Sequence, residues 1–145
     1  MALKSAEVQP YRVMFVCVGG SRSSHFADEI NELAQQESVL IEASFSGATY
    51  RSDHTGQERD GYLHCRENLR VASLILPISP TVRIMLERNQ EEACNLALAR
   101  GARVMTVGEV IGEPDLGIAP CDVEPLVPQV WTGIKVIHAQ ATKAK

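Results

Sequence analysis

The sequence predicts an α/β fold with four parallel strands between two layers of helices. Apolar runs of strand length recur four times along the chain, segments of helical periodicity fall between them, and glycine or proline marks the changes of period. The 145 residues, 45% of them apolar, suit a single domain, 1–145, around one core.

Arg12 to Val18 (RVMFVCV) is a Val- and Phe-containing run between Pro10 and Gly19-Gly20, the pattern of a strand buried on both faces. From about Ser24 the period changes. Phe26, Ala27, Ile30, Leu33 and Ala34 recur at helical spacing, with Asp28, Glu29, Glu32 and Gln35 on the other face. Ser23 or Ser24 is the expected N-cap, with acidic residues in the first turn. Val39 to Phe45 reads as the second strand. Ser46 to Leu69 is a polar excursion with a short helix expected near Gln57 to Asn68. Val71 to Ile78 is a third strand, ended by Pro77 and Pro80. Thr81 to Ala99 reads as one amphipathic helix with Val82, Met85, Leu86, Ala93, Leu96 and Ala97 facing inward, closed by Gly101. Arg103 to Val107 is the fourth strand, Gly108 to Pro128 a proline-rich loop, and Gln129 to Thr142 the last helix, anchored by Val130, Trp131, Ile134 and Ile137.

Strands alternating with helices, joined by right-handed crossovers, give a flavodoxin-like three-layer sandwich with a four-stranded parallel sheet. Its ligand crevice is expected at the carboxyl edge of the strands. Cys17 stands at that edge, and the loop containing Pro120 rises from it too.

Composition narrows the function. A net charge of −4 without a basic stripe argues against nucleic acid as a partner. No apolar run is long enough for a bilayer, and MALKSAEVQP lacks the apolar stretch of a secretory signal, so a cytoplasmic protein without a membrane partner is expected. Cys17, Cys65, Cys94 and Cys121 are widely spaced, with no Cys-x-x-Cys pair. Neither disulfides nor a metal site is expected, and no cofactor is implied. Cys94 reads as buried packing, and His54, His64 and Cys65 form no recognised ligand pattern. His25 reads as exposed beside the loop. The sequence leaves the oligomeric state open.

The chemistry concentrates in the eight residues from Cys17 to Ser24. Gly19 and Gly20 permit a tight turn, letting successive backbone N–H groups point inward as a nest. The following helix N-terminus favours an anion. Ser21, Ser23 and Ser24 add hydroxyls and Arg22 a cation. Helix N-termini and neighbouring cations favour a thiolate, which at the base of an anion cradle is poised to attack phosphorus. The bland alternative is an ordinary strand-to-helix turn with Cys17 in the core.

FVCVGGSRSSHFADEI resembles the signature of low-molecular-weight protein-tyrosine phosphatases and their arginine-phosphatase and arsenate-reductase relatives: strand, Cys, five residues, Arg, Ser, helix. FSGAT, ASLILPIS and VGEVIGEPD resemble later segments of the family, so the likeness runs along nearly the whole chain. It implies Cys17 as nucleophile, Arg22 and the loop residues Val18, Gly19, Gly20, Ser21, Ser23 and Ser24 holding phosphate, an aspartate such as Asp115 as general acid, and Tyr50 and Arg51 at the mouth of the crevice. This chain departs from the pattern twice. Aligned without a gap, Ser23 takes the place of the phosphate-gripping arginine, with Arg22 one residue early. Ala119-Pro120 stands where the family has Asp-Pro, leaving Asp115 and Asp122 as the nearby acids. Cys17, Gly20, Ser23 and Ser24 also resemble the phosphocysteine loop of sugar-phosphotransferase IIB components, where the cysteine carries a phosphoryl group. Three readings follow: a cysteine-dependent phosphatase, a phosphocysteine carrier, and a non-catalytic member of the phosphatase fold that binds an anionic ligand or a protein partner such as a phosphoprotein.

Overall fold

A computed structural model describes residues 9–19, 21–48, 65–118 and 122–143. In chain order they form β1 (Tyr11–Cys17), α1 (Ser21–Gln36), β2 (Ile41–Gly47), α2 (Cys65–Val71), β3 (Leu74–Pro77), α3 (Pro80–Asn89), α4 (Glu91–Ala99), β4 (Arg103–Val104), α5 (Val107–Val110) and α6 (Val123–Lys143). The strands make one sheet in the order β2-β1-β3-β4, every neighbouring pair parallel. The expected α/β sandwich is therefore the fold. Chain order reverses between β1 and β3, where a parallel sheet opens a crevice at its carboxyl edge.

The central strands are buried because helices cover both their faces. Val13 to Cys17 and all of β3 are inaccessible. The Phe15 ring stacks on Phe26 at 5.2 Å and 8°, fixing α1 against β1. β2 is an edge strand, and α1 shields its open side. The Asn31 amide donates to the Ala43 carbonyl at 2.9 Å and accepts from the Ala43 N–H at 2.7 Å, taking the place of a further strand for one residue. α6 is fastened to the end of α1 through Glu37, which accepts from Trp131 Nε1 at 2.8 Å and Lys135 Nζ at 2.9 Å.

Several boundaries differ from the sequence expectations. α1 begins at Ser21, so Ser23 and Ser24 lie inside its first turn rather than at the cap, and that turn contains no acid. Its start is set by Ser23, which must face the core to meet Cys17. β2 is displaced to Ile41–Gly47 because Val39 still bonds back to Ala34 after the left-handed Ser38 (φ 56°). Val71 ends α2 instead of opening β3. The expected single helix over 81–99 is two, broken at Gln90 (φ −129°, ψ 42°). The break turns Leu96 outward, where it is 65% exposed instead of facing the core.

β4 is only Arg103–Val104, because Thr106 and Glu109 form a capping box that starts α5 at once. α6 starts six residues before the expected Gln129; Pro125 sits in its first turn, where no amide donor is needed.

Candidate functional site

β1 delivers Cys17 to the carboxyl edge, where it is 1% exposed. Its register partner is Gly47, and its carbonyl accepts from Ala48 N–H at 2.7 Å. A Cβ at Gly47 would stand 3.0 Å from Val18 O and 3.1 Å from Gly19 C. A glycine there lets the end of β2 lie against the loop backbone.

From the first turn of α1, the buried Ser23 reaches back to the sulfur. Its N–H donates to Cys17 Sγ at 3.4 Å, and its hydroxyl lies 3.3 Å from the same atom. The hydroxyl also lies 3.1 Å from Ser46 O, to which it donates. A serine hydroxyl has one proton. Donated to Ser46 O, it leaves Oγ to accept from the Cys17 S–H; turned to sulfur, it serves a thiolate. A backbone amide and a neutral hydroxyl thus meet the sulfur at the position where the resemblance places an arginine.

Arg22 sends its Nη1 across the edge to Ile118 O, 2.7 Å away, tying the loop after β1 to the loop after β4. Val18 and Gly19 are half-buried, Ser21 is exposed and Ser24 half-buried. Asp115 is exposed in a turn beyond α5, with no hydrogen bond or ion pair among the described residues. Asp122 is exposed just before α6. His25 Nε2 lies 3.9 Å from Glu29 on the outer face of α1. Gly20, Tyr50, Arg51, His54, His64, Ala119, Pro120 and Cys121 lie outside the described residues. The structure therefore brings Cys17, Ser23 and Ser46 together, sends Arg22 to Ile118, and leaves Asp115 unjoined to any of them.

Two further thiols are buried. Burial pushes Cys65 up, with the Ser46 hydroxyl pulling it partly back. Cys94 is pushed up to about 11, first by burial and then by Cys65 and Glu87. Neither is suited to act as a nucleophile near neutral pH. No group of three or more His, Cys, Asp or Glu among the described residues is placed to hold a metal ion.

Ser46 and Ala48 are site neighbours that sequence reasoning passed over; the FSGAT segment around them was its only signal. Ser46 packs beneath Cys17 and Ser23, while Ala48 orients the Cys17 carbonyl.

No known family profile matches the chain, and no curated protein matches its sequence. Solved structures do match. YfkJ from Bacillus subtilis superposes with a TM-score of 0.60 at 16% identity, covering 96% of this chain and 99% of that one. A low molecular weight protein tyrosine phosphatase from T. tengcongensis gives 0.60 at 19% identity, over 86% of this chain and 97% of that one. The lactose-specific IIB domain of a carbohydrate phosphotransferase system from Streptococcus pneumoniae gives 0.52 at 17% identity, over 90% and 97%. The chain has the fold of the low-molecular-weight protein tyrosine phosphatases, with Cys17 at the carboxyl end of its first strand.

Proposed function

We propose that the loop from Cys17 to Ser24 holds a phosphoryl group or a similar anion beside the thiol, and that it hydrolyses phosphate esters feebly or not at all. The observation that carries this reading is the pairing of Cys17 with the buried Ser23 hydroxyl while Arg22 bonds to Ile118 O. The α1 N-terminus supplies partial positive charge for the anion. Hydrolysis asks for more. Attack of sulfur on phosphorus builds charge on the equatorial oxygens, and the departing oxygen needs a proton. A neutral serine answers the first need poorly, and Asp115 is not joined to the site for the second. Each missing group lowers the rate by roughly 10²-fold or more. Phosphate-bearing molecules, a phosphoprotein among them, are the ligand class. Because a free thiol is the working group, a reducing compartment such as the cytoplasm is its setting. Among the described residues no helix is long and apolar enough to cross a membrane.

The test is phosphate binding followed by ³¹P NMR, together with para-nitrophenyl phosphate turnover, in the protein and in Cys17→Ser. Binding with little turnover supports the reading. Brisk turnover that vanishes with Cys17→Ser overturns the impairment, and loss of all phosphate binding overturns the site.

A second reading has its own observation. A neutral hydroxyl at the sulfur also suits a cysteine that accepts and passes on a phosphoryl group, and a IIB domain is among the structural neighbours. A phosphoryl mass increment on Cys17 that survives rapid desalting, after incubation with a phosphorylated donor protein, would favour it.

A further inference from the structure

A cavity of about 480 Å³ opens between α2 and α4, outside the Cys17 loop. Both helices lead into strands of a parallel sheet, so both run from the carboxyl edge toward the amino edge. The groove between them therefore descends the face of the molecule. Its upper end adjoins the site: Asn89 lines it and donates to Ala48 O at 2.9 Å, and Ala48 N–H donates to the Cys17 carbonyl.

The two walls carry opposite charge. On the α2 side stand Arg66 and Arg70, one turn apart and so on the same helix face. Both are exposed, and neither makes a hydrogen bond or ion pair among the described residues. On the α4 side stand Glu91 and Glu92, with Leu96 one turn further along and 65% exposed. No ion pair within 4.0 Å joins the arginines to the glutamates among the described residues, so the groove holds the two signs apart. Arg100 closes the lower end, and its guanidinium is already bonded to Leu69 O and Ala72 O.

The helix break supplies the remaining observation. Gln90 lines the groove and is only 7% exposed, yet its side-chain amide has no hydrogen bond among the described residues. No described side-chain nitrogen or oxygen is both sealed from solvent and unpaired, so this amide opens onto the cavity. A buried amide whose free donors and acceptor face a groove is arranged to serve a ligand's peptide group.

We propose that the α2/α4 groove binds an extended peptide segment carrying charges of both signs. Its carboxylate meets Arg66 and Arg70, its cation meets Glu91 and Glu92, an apolar side chain covers Leu96, and Gln90 pairs with its backbone. Length agrees with a peptide. The nine-residue α4 rises ~13 Å, the span of about four extended residues. Arginine favours carboxylates because its planar donors engage both oxygens.

The probe is an octapeptide of glutamate and lysine in alternation with one central leucine, titrated into the labelled full chain while NMR follows the Gln90 side-chain amide and the Nε–H of Arg66 and Arg70. All three signals are expected to shift together and saturate. Arg66→Glu with Arg70→Glu should weaken binding by about tenfold or more. Both arginines are exposed, so the double variant keeps the fold; unchanged core methyl signals verify that. Cys17→Ser should leave the titration unaltered, which separates this site from the thiol chemistry. Three results would each overturn the proposal: no shift at Gln90, equal shifts from inorganic phosphate, or equal affinity in the charge-reversed variant.

Discussion

Two loops rise from the carboxyl edge of the sheet, and they are held in opposite ways. The loop after β1 is anchored from within: Cys17 is paired through all seven residues of β1 with β2, Ser23 is buried against its sulfur, and Ala48 bonds to its carbonyl. The loop after β4 organises itself. Thr106 and Glu109 cap each other, Glu113 N–H bonds to Gly108 O, and the chain crosses to the first loop through the Arg22 guanidinium on Ile118 O. In the phosphatases that the sequence resembles, the first loop grips phosphate and the second supplies the proton. Here the first loop belongs to the core, while the second is an appendage. A fold can keep the first and change the second.

The strongest way to break this contrast is Gly108→Ala. A Cβ there would fall on the Glu113 carbonyl oxygen, so the tight turn of the second loop must shift. Overpacking against backbone costs about 2–3 kcal/mol, to be read from urea unfolding. Phosphate affinity at Cys17 should stay unchanged; if it falls in step, the loops are not separable. Ser23→Ala strikes the first loop instead. It removes the donor to Ser46 O and the hydroxyl beside Cys17. Stability should fall by about 1–2 kcal/mol, and here phosphate affinity should change with it.

Arg22→Gln tests the bridge between the loops. Losing one charge-assisted bond to a carbonyl costs about 1 kcal/mol, discounted for partial exposure. It should accelerate amide exchange in residues 111–118 with little change around Val13–Val16. The smallest effect is expected from acid. Hydrogen bonds from Lys135 and Trp131, then the charge of Lys135, hold Glu37 below the usual glutamate range. Its contribution is present above the unfolded glutamate pKa and is lost as pH falls through the lowered folded value. Glu37→Gln should flatten that acid limb of the stability profile without touching either loop.

Much of the first region was legible in the sequence, because local rules and tertiary packing agree there. RVMFVCV followed by paired glycines and a 3.6-residue period at Phe26, Ala27, Ile30 and Ala34 has one reading, and each of those residues is buried. Composition was silent where long-range contacts decide. Ser23 has the chemistry of a cap, but its burial against Cys17 draws it into the helix. No periodicity shows that Gln90 breaks the helix over 81–99, since a glutamine is neutral in a helix interior. The turn of Leu96 toward solvent follows from that unseen break. The early start of α6 was hidden by Pro125 and Pro128, both read as loop residues; the first turn of a helix accepts Pro125, whereas Pro128 lies inside the helix, where proline is unexpected.

The brevity of β4 has a consequence in time as well as in space. β3 and β4 share two register pairs, Leu74 with Arg103 and Ile75 with Val104, where β1 and β2 share seven. Little backbone pairing must be broken to lift that edge, so it belongs to the low-energy end of the molecule's spectrum of openings. Native-state hydrogen exchange should find Met105 N–H, bonded to Ile75 O, trading its proton well before Val13–Val16. The loop that Arg22 reaches at Ile118 thus hangs from the strand expected to open first, and the loop after β1 experiences an intermittent neighbour rather than a fixed wall.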